Sequence, residues 1–169
     1  MTDATADDAS GPHEEVIELR KKASAMALYV AICLLAALTA LPESAAHTKI
    51  TPLIWGVTVG LAVVHWFAFR VSARLVASGR LRPHDVELAG AQLVGAVGVA
   101  LLATVPVVVL PESAELEGVA LSLAAFIALV GYAVARGSGA ARARALLYAL
   151  TVLVVAVAIA ELKNRLAGH

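Results

Sequence analysis

Five long apolar runs divide this chain, and short polar stretches separate them. The runs cover residues 23–41, 52–69, 88–110, 118–135 and 145–160. Each is close to the ~20 residues that an α-helix needs to cross a hydrocarbon layer ~30 Å thick. Val and Ile are abundant in them, which raises strand propensity. A membrane strand, however, needs only ~9–11 residues and alternates apolar with polar positions. These runs are longer and do not alternate, so the pattern predicts helices that are apolar on every face. The fifth run is the shortest. Arg144 at its start can snorkel and Glu161 marks its end, which favours a full span over a dipping segment.

Ahead of the first run, residues 1–15 are polar and acidic, with Asp3, Asp7, Asp8, Glu14 and Glu15 around Gly11–Pro12. A disordered tail is expected there. Its acidic start differs from the basic n-region of a signal peptide, so none is expected. Ser10–Gly11–Pro12 reads as a helix start, with Glu18 and Lys22 spaced i, i+4 beyond it.

The basic residues between runs set an expected orientation. One side holds Arg20, Lys21, Lys22, Arg70, Arg74, Arg80, Arg82, Arg136, Arg142 and Arg144, and the other holds Lys49, Lys163 and Arg165. Ten against three predicts a cytoplasmic N-terminus and an outer C-terminus in the cell membrane.

The pentapeptide LPESA occurs at residues 41–45 and again at 110–114. Shifting the chain by 69 residues lays 16–45 on 85–114 with ten of thirty positions identical, including Glu18/Glu87, Leu19/Leu88, Ala27/Ala96, Val30/Val99 and Ala31/Ala100. Beyond the loop, with three residues fewer, His65–Arg70 lies on Gly131–Arg136, so an aromatic four residues before an arginine recurs (Trp66/Arg70 and Tyr132/Arg136). The expected fold is an all-α integral membrane protein of five transmembrane helices. It comprises two tandem, parallel helical-hairpin repeats (16–80 and 81–137) and a fifth helix with a short outer end (138–169). Pro42 and Pro111 stop helices one and three, because proline offers no N–H and disfavours helix in the residue before it.

Small residues predict where helices approach. Gly56 and Gly60 form a GxxxG pair, Gly95 pairs with Ala91, and Ala120, Ala124 and Ala128 extend a small face along the fourth helix.

Composition agrees with a lipid-solvated chain: 60% hydrophobic residues, 15% charged residues and a mean hydropathy of +0.85, against about 25% charged in soluble domains. Cys33 is the single cysteine, so no internal disulfide is possible, and it reads as core filling. Ala- and Arg-rich usage fits a GC-rich bacterial genome.

Candidate chemistry is sparse. His65 is the only histidine within a run, five residues from Arg70, and so roughly 7–8 Å deep. Intramembrane ionisable groups often mark proton or ion paths. The plainer reading is a structural histidine hydrogen-bonded to a neighbouring helix. Glu43 and Glu112, one in each LPESA, are a candidate cation-gathering pair at an outer mouth, or simply two solvated helix ends. Glu18 and Glu87 suit helix starts. Trp66/Arg70 and Tyr132/Arg136 suit interfacial anchoring with a cation–π contact. Gln92 suits interhelical hydrogen bonding, and the basic 70–82 loop suits anionic headgroups or orientation alone.

No HExxH, P-loop, GxSxG, GxGxxG or paired Cys/His ligand set is present. An enzyme, a metal site, a cofactor and nucleic-acid binding are therefore not expected. Two classes remain. One is a non-enzymatic membrane accessory or scaffold, associating with itself or another membrane protein through small-residue helix faces. The other is a small oligomeric proton- or cation-conducting protein that uses His65 with Glu43 and Glu112.

The orientation is directly testable. A periplasmic-type reporter such as alkaline phosphatase fused after residue 169 should be active, whereas the same reporter in the 77–82 loop should be silent. The reverse pattern would invert the orientation.

Overall fold

The computed structural model describes residues 12–41, 50–76 and 83–166. Among them all regular structure is helical: α1 (Pro12–Thr39), α2 (Ile50–Val76), α3 (Pro83–Val109), α4 (Glu115–Gly137) and α5 (Arg142–Leu166). Five helices are long and apolar enough to cross a membrane. Each runs beyond its apolar stretch, because polar residues that water or headgroups can solvate still continue the backbone hydrogen-bond ladder. The gain is largest for α1, which begins at Pro12, eleven residues before its apolar run, for α2, which spans 27 residues, and for α5, which spans 25. Proline fits the first helical position, where its missing N–H has no partner to lose, and both α1 and α3 start on one.

Contacts between helices fix their directions. Gly95 of α3 meets Ala23 of α1, each near the first half of its helix, so α1 and α3 run parallel. His65 meets Gln92, Gly118 meets Pro106, and Gly131 meets Ala149, so consecutive helices from α2 to α5 alternate. At the far end Asn164 donates to the Thr39 hydroxyl at 2.8 Å, which puts α5 parallel to α1. One end of the bundle thus carries Arg20, Arg70, Arg136 and Arg142; it is called the arginine end below.

The core is built on α1. Met26, Val30, Leu34 and Leu38 on its buried stripe pack with Ala96, Val99, Ala100 and Ala103 of α3 and with Val119, Leu123 and Ile127 of α4. Large residues from one helix face small ones from the next, which lets backbones close up. The contact is tightest at Gly95, where a side-chain carbon would come 2.3 Å from the Ala23 carbonyl oxygen. In contrast α2 lies at the edge. Only 11% of its membrane-length segment is buried, against 44% for α1.

Hydroxyls inside the helices are satisfied locally. Thr58 donates to the Ile54 carbonyl at 2.8 Å, Thr104 to Ala100 at 2.7 Å and Thr151 to Leu147 at 2.9 Å. This back-bonding leaves no buried side-chain polar atom without a partner among the described residues. The outer surface, by comparison, is apolar: Phe67, Val94, Val108 and Leu121 are among many large exposed hydrophobics. Such a surface suits a hydrocarbon surround.

The second LPESA ends α3 as its proline requires. Val109 is the last helical residue, Pro111 is extended (φ −66°, ψ 151°), and Glu112–Ala114 form one 3-10 turn that leads into α4. Pro106, nearer the middle of the segment, is accommodated inside α3. The first copy lies outside the described residues from position 42 onward. Between α4 and α5 the chain turns at Gly139, whose φ of +83° favours glycine. The α4 end is closed by backbone bonds from Ser138, Gly139 and Ala140.

Gly95→Ala should destabilise the bundle by about 1–3 kcal/mol, because the backbone of α1 has to move to admit the new carbon. Gly98→Ala has open space and should leave stability level or slightly higher. Thermal unfolding of both variants in detergent, against the parent, measures the difference.

Candidate functional site

The polar side chains of the apolar segments decide where any site can be. Two of them meet across helices: the His65 Nε2 of α2 and the Gln92 Oε1 of α3 are 2.5 Å apart. An amide oxygen only accepts, so Nε2 carries the hydrogen and donates. Thr151 is on the exposed side of α5 and, among the described residues, bonds only to its own helix.

His65 and Gln92 sit in the wall of a groove of about 460 Å³ between α2 and α3. Val59, Val63, Trp66 and Phe69 come from α2, Val86, Ala89 and Leu93 from α3, and Met26 of α1 closes the back. Apart from the His–Gln pair the lining is hydrocarbon and aromatic. At its arginine end Trp66 stacks near Phe69, with ring centroids 6.3 Å apart at 36°, and the Arg70 guanidinium lies 5.7 Å from the Trp66 ring centre. This cation–π contact is the one expected from the i, i+4 spacing. Its counterpart differs: Arg136 turns away to donate to the Ala140 carbonyl at 2.7 Å and helps close the α4–α5 turn.

Glu112 belongs to the opposite end of the molecule, exposed in the 3-10 turn after α3. Twenty residues of α3 and its turn separate it from Gln92, so it lies about 30 Å from the groove pair at the helical rise. Glu43 is outside the described residues. The structure therefore brings His65 together with Gln92 and not with Glu112. No group of three or more metal-capable side chains occurs among the described residues.

The three glycines behave differently. Gly95 is at the α1–α3 contact, whereas Gly56 and Gly60 have nothing within 4 Å of where a side chain would start. They lie half a turn from the buried Ile54 and Thr58, so they point away from the bundle together with Phe67. Two close approaches were not read from the sequence. Gly118 packs on Pro106 and Leu110, and Gly131 packs on Ala149 and Val152 of α5. Both have small residues four positions away (Ala114 and Ser122 for Gly118, Ala135 for Gly131), but alanine is so abundant in this chain that such spacing singles out neither.

The His65–Gln92 bond should couple the two residues by about 0.6 kcal/mol, the usual scale for interhelical side-chain bonds in lipid. A double-mutant cycle of His65→Leu and Gln92→Leu on unfolding stability measures it, and additive single effects would remove the bond. In comparison with known proteins, the chain matches no family model, no curated protein and no solved structure.

Proposed function

We propose that this protein is a non-enzymatic membrane accessory that docks a partner helix on the outward face of α2. The observation that carries the reading is the placement of Gly56 and Gly60 on the least buried helix with nothing packed against them. Glycine in a helix interior costs about 1 kcal/mol relative to alanine. Two such residues one turn apart, on a face the chain itself does not use, are best accounted for by close approach of another helix. Phe67 two turns further on adds a large ridge to the same face. The partner is therefore a membrane protein that meets α2 within the bilayer, with the N-terminus of this chain on the cytoplasmic side.

The two-hairpin duplication underlies the architecture in this reading. Support comes from the three identical helix positions Ala27/Ala96, Val30/Val99 and Ala31/Ala100, all buried in the core that α1 and α3 share. Exchange of the hairpins also turns the α1–α4 contact into the α3–α2 contact, and both pairs pack.

A conducting reading has less support. Among the described residues His65 has one hydrogen-bond partner, the groove walls are otherwise apolar and Glu112 lies far away, so these residues line no continuous polar route for a proton.

A photo-reactive amino acid at Phe67 in native membranes should give protein adducts that Gly56→Ile and Gly60→Ile abolish, with unfolding stability unchanged. Lipid adducts alone would reject docking on this face. Proteoliposomes of the purified protein should show no proton or cation flux above empty vesicles.

A further inference from the structure

We propose that the groove between α2 and α3 is a seat for α5 of a second copy of this chain, with Thr151 of the incoming helix accepting a hydrogen bond from Gln92. Two observations lead there.

The first is where α5 lies in its own chain. It packs on α4 and α1, with Ala149 and Val152 closing over Gly131. Under exchange of the hairpins, α4 becomes α2, α1 becomes α3 and Gly131 becomes His65. The seat that α5 fills on one half of the molecule is thus, on the other half, the groove. The exposures follow the same asymmetry: Gly131 is buried and His65 is exposed, while Ala36 of α1 is 1% exposed and its copy Val105 of α3 is 55% exposed. This step rests on the duplication advanced under the proposed function.

The second is depth, and it needs no duplication. Copies inserted the same way in one bilayer meet level with level. His65 and Gly131 each precede an arginine at the same end by five residues, at Arg70 and Arg136. Ala149 and Val152 bracket Gly131, so Thr151 of any neighbouring copy is at the level of His65 and Gln92. It is on the exposed side of α5, between Leu147 and Val154, while Ala145, Ala149, Ala156 and Ala160 face its own chain. Its hydroxyl hydrogen is used on the Leu147 carbonyl, which leaves the oxygen free to accept. Gln92, for its part, gives only its carbonyl oxygen to His65, and its amide N–H groups have no partner among the described residues. Unpaired donors in a hydrocarbon groove are costly, and a threonine oxygen at the right depth relieves them. The leucine and valine around Thr151 meet the apolar groove walls. The contact joins unlike surfaces, α5 to groove, so repetition about the membrane normal builds a ring where the rotation closes.

Cross-linking in vesicles tests the seat. Ala62 and Val154 lie about one turn beyond His65 and Thr151, both away from the arginine end. In a Cys33→Ala background, Ala62→Cys copies mixed with Val154→Cys copies should be oxidised to a covalent dimer, and neither variant should dimerise alone. A Thr39→Cys/Asn164→Cys chain, built on the 2.8 Å contact, reports that the bundle and the oxidant are in order. Thr151→Val should weaken self-association about threefold by energy transfer between labelled copies, the scale of one such bond. Absence of the mixed dimer while the control disulfide forms would overturn the seat and leave the groove to lipid. Unchanged association of Thr151→Val would overturn the Thr151–Gln92 bond. Gly60→Cys copies in the same vesicles report the α2 face separately, so either contact can fail without the other.

Discussion

The close approach of α1 and α3 is the contact on which the other helices depend. With Gly95 against the Ala23 carbonyl, two parallel backbones come near enough for short side chains to fill the space between them. The exposed apolar surface suits a hydrocarbon surround, and in such a surround helices gain little by hiding from solvent, so dispersion across such a seam would carry much of the association. Once α1 and α3 are joined, their remaining faces offer sites for α2, α4 and α5. Because α1 is at the centre, it also carries the largest buried share. A chain with no disulfide and few interhelical hydrogen bonds holds its shape by this geometry.

The same solvent argument explains the economy of polar groups. Thr39, Thr58, Thr104 and Thr151 bond back to the preceding turn, and among the described residues the polar pairs that cross between helices are His65–Gln92 at the edge and Asn164–Thr39 at the far end. Charges stay at the ends, where Arg70 rests against Trp66 and Arg136 reaches the turn carbonyl of Ala140. Among the described residues the buried interior is thus almost wholly apolar, and the polar groups that cross between helices stand at its margins.

The helices were legible because uninterrupted apolar runs have few interpretations. Their ends were less so: hydropathy marks where lipid stops, whereas α1 and α5 continue through residues that water can solvate. The stop at Pro111 was legible from proline stereochemistry, and the Trp66–Arg70 contact from helical spacing. The meeting of His65 with Gln92 was not, since 27 residues and a loop separate them and any of several helices could have faced His65. The glycines show the limit most clearly. Gly56 and Gly60 carry the stronger motif and meet nothing among the described residues where a side chain would start, while Gly95, Gly118 and Gly131, none of them in a GxxxG pair, make the tight contacts. A spacing rule records that two residues share a helix face; which helix covers that face is a property of the whole bundle.

The hydrogen bond between Asn164 and Thr39 ties the last helix to the first across 125 positions of chain. During synthesis α1 emerges long before α5 exists, and so part of its buried stripe must wait uncovered. The bundle is completed only when the final helix is threaded in beside the first. Assembly of this fold is thus timed by translation, because the most buried helix is made first and its last cover is made last.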